Sequence, residues 1–305
     1  MHQTSGRWGL GLALSLLTVF LWGILPIALK VSLQVVDVYT IIWFRFLVSF
    51  LLLAVFLGIK GKLPKWQQLR ASSGKLLAIA TLGLACNYLL FMQGLALTSP
   101  ANAEVLIQLA PLLLSLGGLV IFQERYTKLQ WLGVGIITCG YIVFFNDQVS
   151  NLITATRTYI FGSSLIILAA AAWAIYALCQ KQLLHSLTSS HIMLIIYGGC
   201  ALLFTPFAQP GTIFTLNTSY FIVLLFCAFN TLIAYGAFAE SLAHCPASQV
   251  SAVLALAPII TLISVAVTSV FLPSLITSEN LTIIGIFGAL LVVAGSVAIA
   301  SGKAD

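Results

Sequence analysis

Charge is what this 305-residue chain has least of. Only 7% of its residues are Asp, Glu, Lys or Arg and 61% are hydrophobic, for a mean hydropathy of +1.11; soluble domains carry about 25% charged residues. That scarcity excludes an ordinary soluble fold and points to a membrane protein with many spans. An all-α polytopic fold is expected, because the apolar runs have the length at which a helix crosses a bilayer. Other features are missing too. No Walker A glycine loop and no stretch long enough for a soluble domain are present, so the chain cannot hydrolyse nucleotide by itself. The four histidines, His2, His185, His191 and His244, fall near span ends without ligand spacing, and no metal site or cofactor is expected. The six cysteines form no CxxC motif and read as small buried hydrophobes. No mid-span nucleophile is set beside a base or a metal ligand, so an enzyme is not expected.

Apolar runs dominate what is there. Ten spans are expected, at Trp8–Leu29, Val38–Ile59, Lys75–Thr98, Ala101–Gln123, Leu129–Phe145, Tyr159–Gln180, His191–Ala208, Tyr220–Ala243, Ala247–Leu272 and Leu281–Ser301. The first is too long for a signal-peptide core and lacks a small-residue cleavage site, so it reads as retained. Ten spans place both termini on one face. If that face is cytoplasmic, Arg7, Lys60, Lys62, Lys65, Arg70, Lys75, Arg125, Lys128, Lys181 and Lys303 lie inside and only Lys30 and Arg157 outside, as the positive-inside rule requires. The excess of basic residues is thereby explained by topology, and nucleic acid is not an expected partner.

The two halves repeat one another about 150 residues apart. Trp22 and Lys30 close one span and Trp173 and Lys181 another at the same separation; Phe91, Leu95, Ala96 and Leu109-Ala110-Pro111 recur as Phe238, Leu242, Ala243 and Leu256-Ala257-Pro258. Glu124 with Gly133 and Gly140 recurs as Glu279 with Gly288 and Gly295 once Phe271 to Ser278 is taken as an insert. The expected organisation is a first five-helix repeat at 1–146, a polar linker at 147–158 and a second repeat at 159–305. A unit with an odd number of spans enters the membrane from the opposite side when duplicated. Two inverted five-helix repeats are the architecture of alternating-access carriers.

Three ionisable residues lie within spans, where each charge costs about 2.5–3.5 kcal/mol on insertion scales. Arg45 reads either as a tie between helices or as a partner for a substrate carboxylate. Glu104 and Glu240 have non-acidic repeat mates, Ser251 and Gln93, and read either as proton carriers or as side chains reaching for water. Trp22, Trp173, Tyr88, Tyr176 and Tyr235 could line a midplane cavity with Asn87, Gln93, Gln108 and Asn230 supplying hydrogen bonds, or could pack helices together. Pro26, Pro111 and Pro258 are candidate gating bends, since proline removes a helical hydrogen bond.

The Trp-Gly of the first span, Arg45, the two Leu-Ala-Pro triplets and the glutamates Glu124 and Glu279 resemble the EamA family of the drug/metabolite transporter superfamily over nearly the whole chain. The resemblance implies a central cavity formed mainly by spans 1, 3, 4, 6, 8 and 9, and inner-membrane transport of amino acids or related small metabolites, often outward. Two features depart from the family pattern: Ile196 and Tyr197 stand where a second arginine would map, and the Phe271–Ser278 insert is atypical. The expected function is secondary transport of a small organic solute, with protons as a candidate coupling ion. Efflux of amphipathic compounds or lipid flipping is the alternative.

Overall fold

The computed structural model describes residues 7–64, 73–121, 126–153, 157–271 and 282–301, and among them there is helix and no strand. The helices are α1 (Trp8–Ser32), α2 (Val38–Ile59), α3 (Gly74–Leu97), α4 (Pro100–Ile107), α5 (Leu109–Ile121), α6 (Lys128–Ile153), α7 (Arg157–Leu183), α8 (Ser189–Phe204), the short α9 (Gly211–Phe214), α10 (Thr218–His244), α11 (Ala247–Leu254), α12 (Ala257–Phe271) and α13 (Ile283–Ser301). Small polar residues start many of them. Asp37, Ser73, Ser99, Thr188 and Asn217 each accept a hydrogen bond from a backbone N–H three residues on, filling a donor the first turn leaves empty.

Among the described residues eight segments are long and apolar enough to cross a membrane, counting α4–α5 and α11–α12 as one each; Lys128–Val143 and Ile283–Ile299 are shorter apolar stretches. The outer surface is apolar as well. Val55, Phe56, Ile59, Leu132, Val270 and Ile283 are all exposed, the reverse of a water-facing surface.

The α4–α5 and α11–α12 segments are broken. One stops at Ile107 and resumes at Leu109, the other stops at Leu254 and resumes at Ala257. Pro111 and Pro258 explain both interruptions, because each lacks the N–H that would bond four residues back, at Ile107 and Leu254. Helix α6 differs from expectation. It continues through Asn146 and Asp147 to Ile153, so much of the stretch read as a polar linker at 147–158 is helical. Hydropathy marks where apolar character stops, and a helix can outlast it. Glu124, Arg125, Lys65, Arg70, Glu279, Lys303 and all of the insert beyond Phe271 lie outside the described residues.

The helix crossings come in matched pairs. Along α1 and α10, Gly11 sits against His244 and Cys245, Thr18 donates to Ala234 O at 3.2 Å, and Leu21 O accepts from Asn230 at 2.6 Å. Along α7 and α3, Gly162 sits against Leu97 and Thr98, Ala169 O accepts from Asn87 at 2.9 Å, and Ala172 O abuts Gly83. The second set is the first carried through the sequence repeat, and both crossings are antiparallel. Between α6 and α13, a Cβ on Gly133 would lie 2.7 Å from Gly295 O and one on Gly140 2.9 Å from Gly288 O. Only glycine permits backbones this close.

Lys30 adds a further tie. At the end of α1 its Nζ donates to Leu95 O, Ala96 O and Thr98 O at 2.9, 3.2 and 2.6 Å. A cation there completes carbonyls left open at the C-terminus of α3 and meets the negative end of its dipole. The C-terminal ends of α1 and α3 therefore meet, and α7 runs opposite to both. Its repeat mate Lys181 is buried and lies within electrostatic reach of Cys245, the residue closing α10.

Candidate functional site

A cavity opens where α1, α2, α3, α4, α5, α7 and α10 to α12 converge. Its volume is about 80 Å³, well beyond what a single water needs. A small organic solute matches that space. Its wall is mostly apolar, from Leu25, Leu29, Phe91, Met92, Ile107 and Leu254 among others, and its polar groups are Arg45, Asn87, Tyr88, Glu104, Gln108 and Tyr235.

The aromatic floor is built from both halves. Trp22 meets Trp173 edge to face, with centroids 5.7 Å apart, and also touches Tyr235 at 4.9 Å and Phe238 at 5.6 Å. The indole Nε1 of Trp22 is buried without a hydrogen-bond acceptor. Arg45 is 2% exposed, and its Nε donates to Thr231 Oγ1 at 2.9 Å while Nη2 donates to the Tyr88 hydroxyl at 3.4 Å. Its guanidinium carbon lies 4.5 Å from the centroid of the Tyr88 ring, a cation–π arrangement. Glu104 is 4% exposed and accepts from Gln108 Nε2 at 2.8 Å, while Gln108 Oε1 is buried with no donor. Gln108 stands at the break between α4 and α5, where the interrupted helix lets its amide turn into the cavity.

Sequence reasoning brought many of these residues forward. Trp22, Asn87, Tyr88, Gln108, Trp173 and Tyr235 line the cavity, as do Arg45, Glu104, Pro26 and Pro111. Gln93 is half-buried and away from it. Asn230 ties α10 to α1, and the Tyr176 hydroxyl donates to Met193 Sδ, so these two pack helices rather than face the cavity. Pro258 is outside the lining, although its neighbour Ala257 belongs to it. Glu240 is also elsewhere: it is 44% exposed near the end of α10, accepts a hydrogen bond from Ser189 and lies 3.4 Å from His244. The residues missed are apolar. Leu25 and Leu29, Phe91 and Met92, and Ile107 follow Trp22, Tyr88 and Glu104 at helical spacing, and that 3-to-4 interval was the available signal.

Among the described residues no group of three or more His, Cys, Asp or Glu could hold a metal ion.

The model of the EamA-like transporter family matches this chain twice, at residues 9–146 and 160–301. An uncharacterised inner membrane transporter of Escherichia coli, YhbE, is 36% identical over 94% of this chain and 90% of its own length. An uncharacterised transporter of Haemophilus influenzae is 33% identical over 96% and 95%. Protein RarD of Salmonella typhi is 27% identical over 57% of this chain and 55% of its own. A solved crystal structure with only 16% identity superposes with a TM-score of 0.71 across 96% of this chain and 98% of that one, a likeness of fold. Two family matches across nearly the whole length, with a relative of the same extent at 36% identity, establish that the chain belongs to the EamA-like transporter family.

Proposed function

We propose that this protein is a secondary carrier of small organic solutes, amino acids or related metabolites, working in the inner membrane by alternating access between two inverted five-helix repeats. The similarity to inner membrane transporters supports the location. Helix α13, at 19 residues and about 1.5 Å per residue, reaches about 28 Å and supports a tenth span in a hydrocarbon layer roughly 30 Å thick. The opposed directions of α1 and its mate α7 support the inversion.

One observation carries the reading. When the sequence repeat is applied to the cavity, its centre maps onto itself: Trp22 exchanges with Trp173, Tyr88 with Tyr235, Ile107 with Leu254 and Ala110 with Ala257, all of them lining residues. The lining residues on the Lys30 side map instead onto residues outside the lining on the Lys181 side, with Leu25, Leu29, Phe91 and Glu104 becoming Tyr176, Gln180, Phe238 and Ser251. A fixed centre with room on one side only fits a carrier in one of two alternate states. Gln180 lies on the filled side. Both its amide atoms are buried without partners, a cost that opening to water would relieve.

The size of the cavity favours a solute over a lipid. Export is the direction that the family resemblance suggests, with both termini cytoplasmic. Protons are the proposed coupling ion, with Glu104 or Glu240 as their carrier. The test is an exchange screen with a broad metabolite mixture in proteoliposomes, combined with cysteine labelling at position 177 in an Ala177→Cys variant lacking its native cysteines. Solute exchange should occur, and labelling should rise when the opposite approach is closed. No exchange of any solute would refute the carrier reading.

A further inference from the structure

One face of α1, made by Trp22, Leu25, Pro26 and Leu29 at three- and four-residue spacing, lines the cavity. The sequence repeat carries that face onto Trp173, Tyr176, Ala177 and Gln180 of α7. Of these four, Trp173 belongs to the lining and the other three are fully buried outside it. Polar groups packed away in this manner ordinarily have partners. The Tyr176 hydroxyl donates to Met193 Sδ at 3.4 Å, and Ser251, the mate of Glu104, donates to Ala247 O at 2.7 Å. Gln180 differs from both. Among the described residues it is the one side chain with two polar atoms buried and unpartnered.

The repeat mates Leu29 and Gln180 are thus set the unfavourable way round. The leucine stands where there is room, and the amide where there is none. Exchanging the two sides gives the amide access to water and packs the leucine away. Both changes lower the free energy, one by restoring hydrogen bonds and the other by withdrawing apolar surface from water.

We propose, on the carrier reading above, that Gln180 is a spring set against the state of this structure: its unpartnered amide raises the energy of the form with room on the Lys30 side and promotes passage to the form with room on the Lys181 side. The bias is built into the chain and acts with no solute bound. Two states that interconvert readily differ by only a few kcal/mol, so one buried amide is large enough to set their balance.

The test measures labelling by a small water-soluble thiol reagent at Phe91→Cys, on the Lys30 side, and at Ala177→Cys, on the Lys181 side. Each is the single cysteine of a protein lacking its native ones, reconstituted in proteoliposomes without solute. Gln180 is then replaced by Leu, the residue of its repeat mate, by Met, which keeps the unbranched length without the amide, and by Asn, which keeps an amide. Gln180→Leu and Gln180→Met should each raise the ratio of the labelling rate at 91 to that at 177 by about 5–30-fold, the scale of relieving one buried unpartnered amide. Gln180→Asn should leave the ratio near its wild-type value. An unchanged ratio in Leu and Met, an equal rise in Asn, or a fall of both labels together would overturn the spring and leave the carrier reading intact. Absence of all labelling at 177 with Gln180 in place would instead sink the carrier reading, and the spring with it. Met follows glutamine closely in length and shape, so Gln180→Met decides the point even if Gln180→Leu fails to fold.

Discussion

Trp22 and Trp173 occupy the same position in the two halves of the chain, and their rings touch, 5.7 Å between centroids at an interplanar angle of 80°. On the inverted-repeat reading proposed above, the axis relating the two halves passes between these rings, and both line the cavity.

Trp22 supplies an unpaired indole N–H at the cavity, so Trp22→Phe keeps most of the ring packing and removes the donor. Solute affinity should fall by about tenfold, the worth of one good hydrogen bond, with little change in the melting temperature. Half-saturation in vesicle exchange, set beside thermal unfolding in detergent, checks both halves of the statement.

The α6–α13 crossing gives a stability contrast within one helix. A Cβ on Gly133 would meet Gly295 O at 2.7 Å and the backbone N of Ile299 at 3.0 Å, whereas one on Gly135 meets nothing within 4 Å. Gly133→Ala should cost about 1–3 kcal/mol by overpacking. Gly135→Ala should be neutral or stabilising by up to about 1 kcal/mol, from helix propensity. Equal melting temperatures for the two variants would contradict the close approach.

Lys30→Met removes the cation that three carbonyls share. The side chain is partly exposed, so the loss should fall toward the lower end of the 1.5–3 kcal/mol typical of charged hydrogen bonds. Differential scanning fluorimetry of the purified protein would register it as a lowered melting temperature, and Lys30→Arg should recover part of it.

Pro111→Ala and Pro258→Ala each restore a backbone donor facing the helix break. With the break mended, exchange should slow several-fold while stability holds or rises, because helix propensity improves by up to about 3 kcal/mol per proline removed. Initial rates of exchange at saturating solute are the relevant measurement.

Topology can be tested with reporter tags. Asn146 lies within α6, so a tag after Ile153, where that helix ends, disturbs less. It should appear on the face opposite a tag at Asp305. Both tags on one face would rule out the inversion.

Much of the fold was legible because duplication leaves its mark on a linear chain. The Leu-Ala-Pro triplets, the tryptophan-to-lysine interval and Gly133, Gly140, Gly288 and Gly295 gave the repeat; the triplets stand at the two helix breaks and the glycines at the α6–α13 crossing. The faces of the helices were harder. In a soluble helix the polar stripe shows which side faces water; in a span such as α2, lipid and core are both apolar, and a few polar residues such as Arg45 and Ser49 mark the inner side. Tyr176 and Asn230 illustrate the limit, since a polar group in a span signals that it needs a partner without saying whether a neighbouring helix or a bound solute provides it. Contact between repeat mates, as at Trp22 and Trp173, is a relation in space that no interval along the chain encodes.

The lysine at the end of α1 has a mechanical corollary. By grasping the carbonyls that finish α3 and open the turn into α4, it fastens three segments of the first half into one stiff block, leaving the interrupted stretch around Gln108 as the compliant place within it. In the proposed carrier cycle, bending would thereby be steered away from the rim and toward the centre of the cavity.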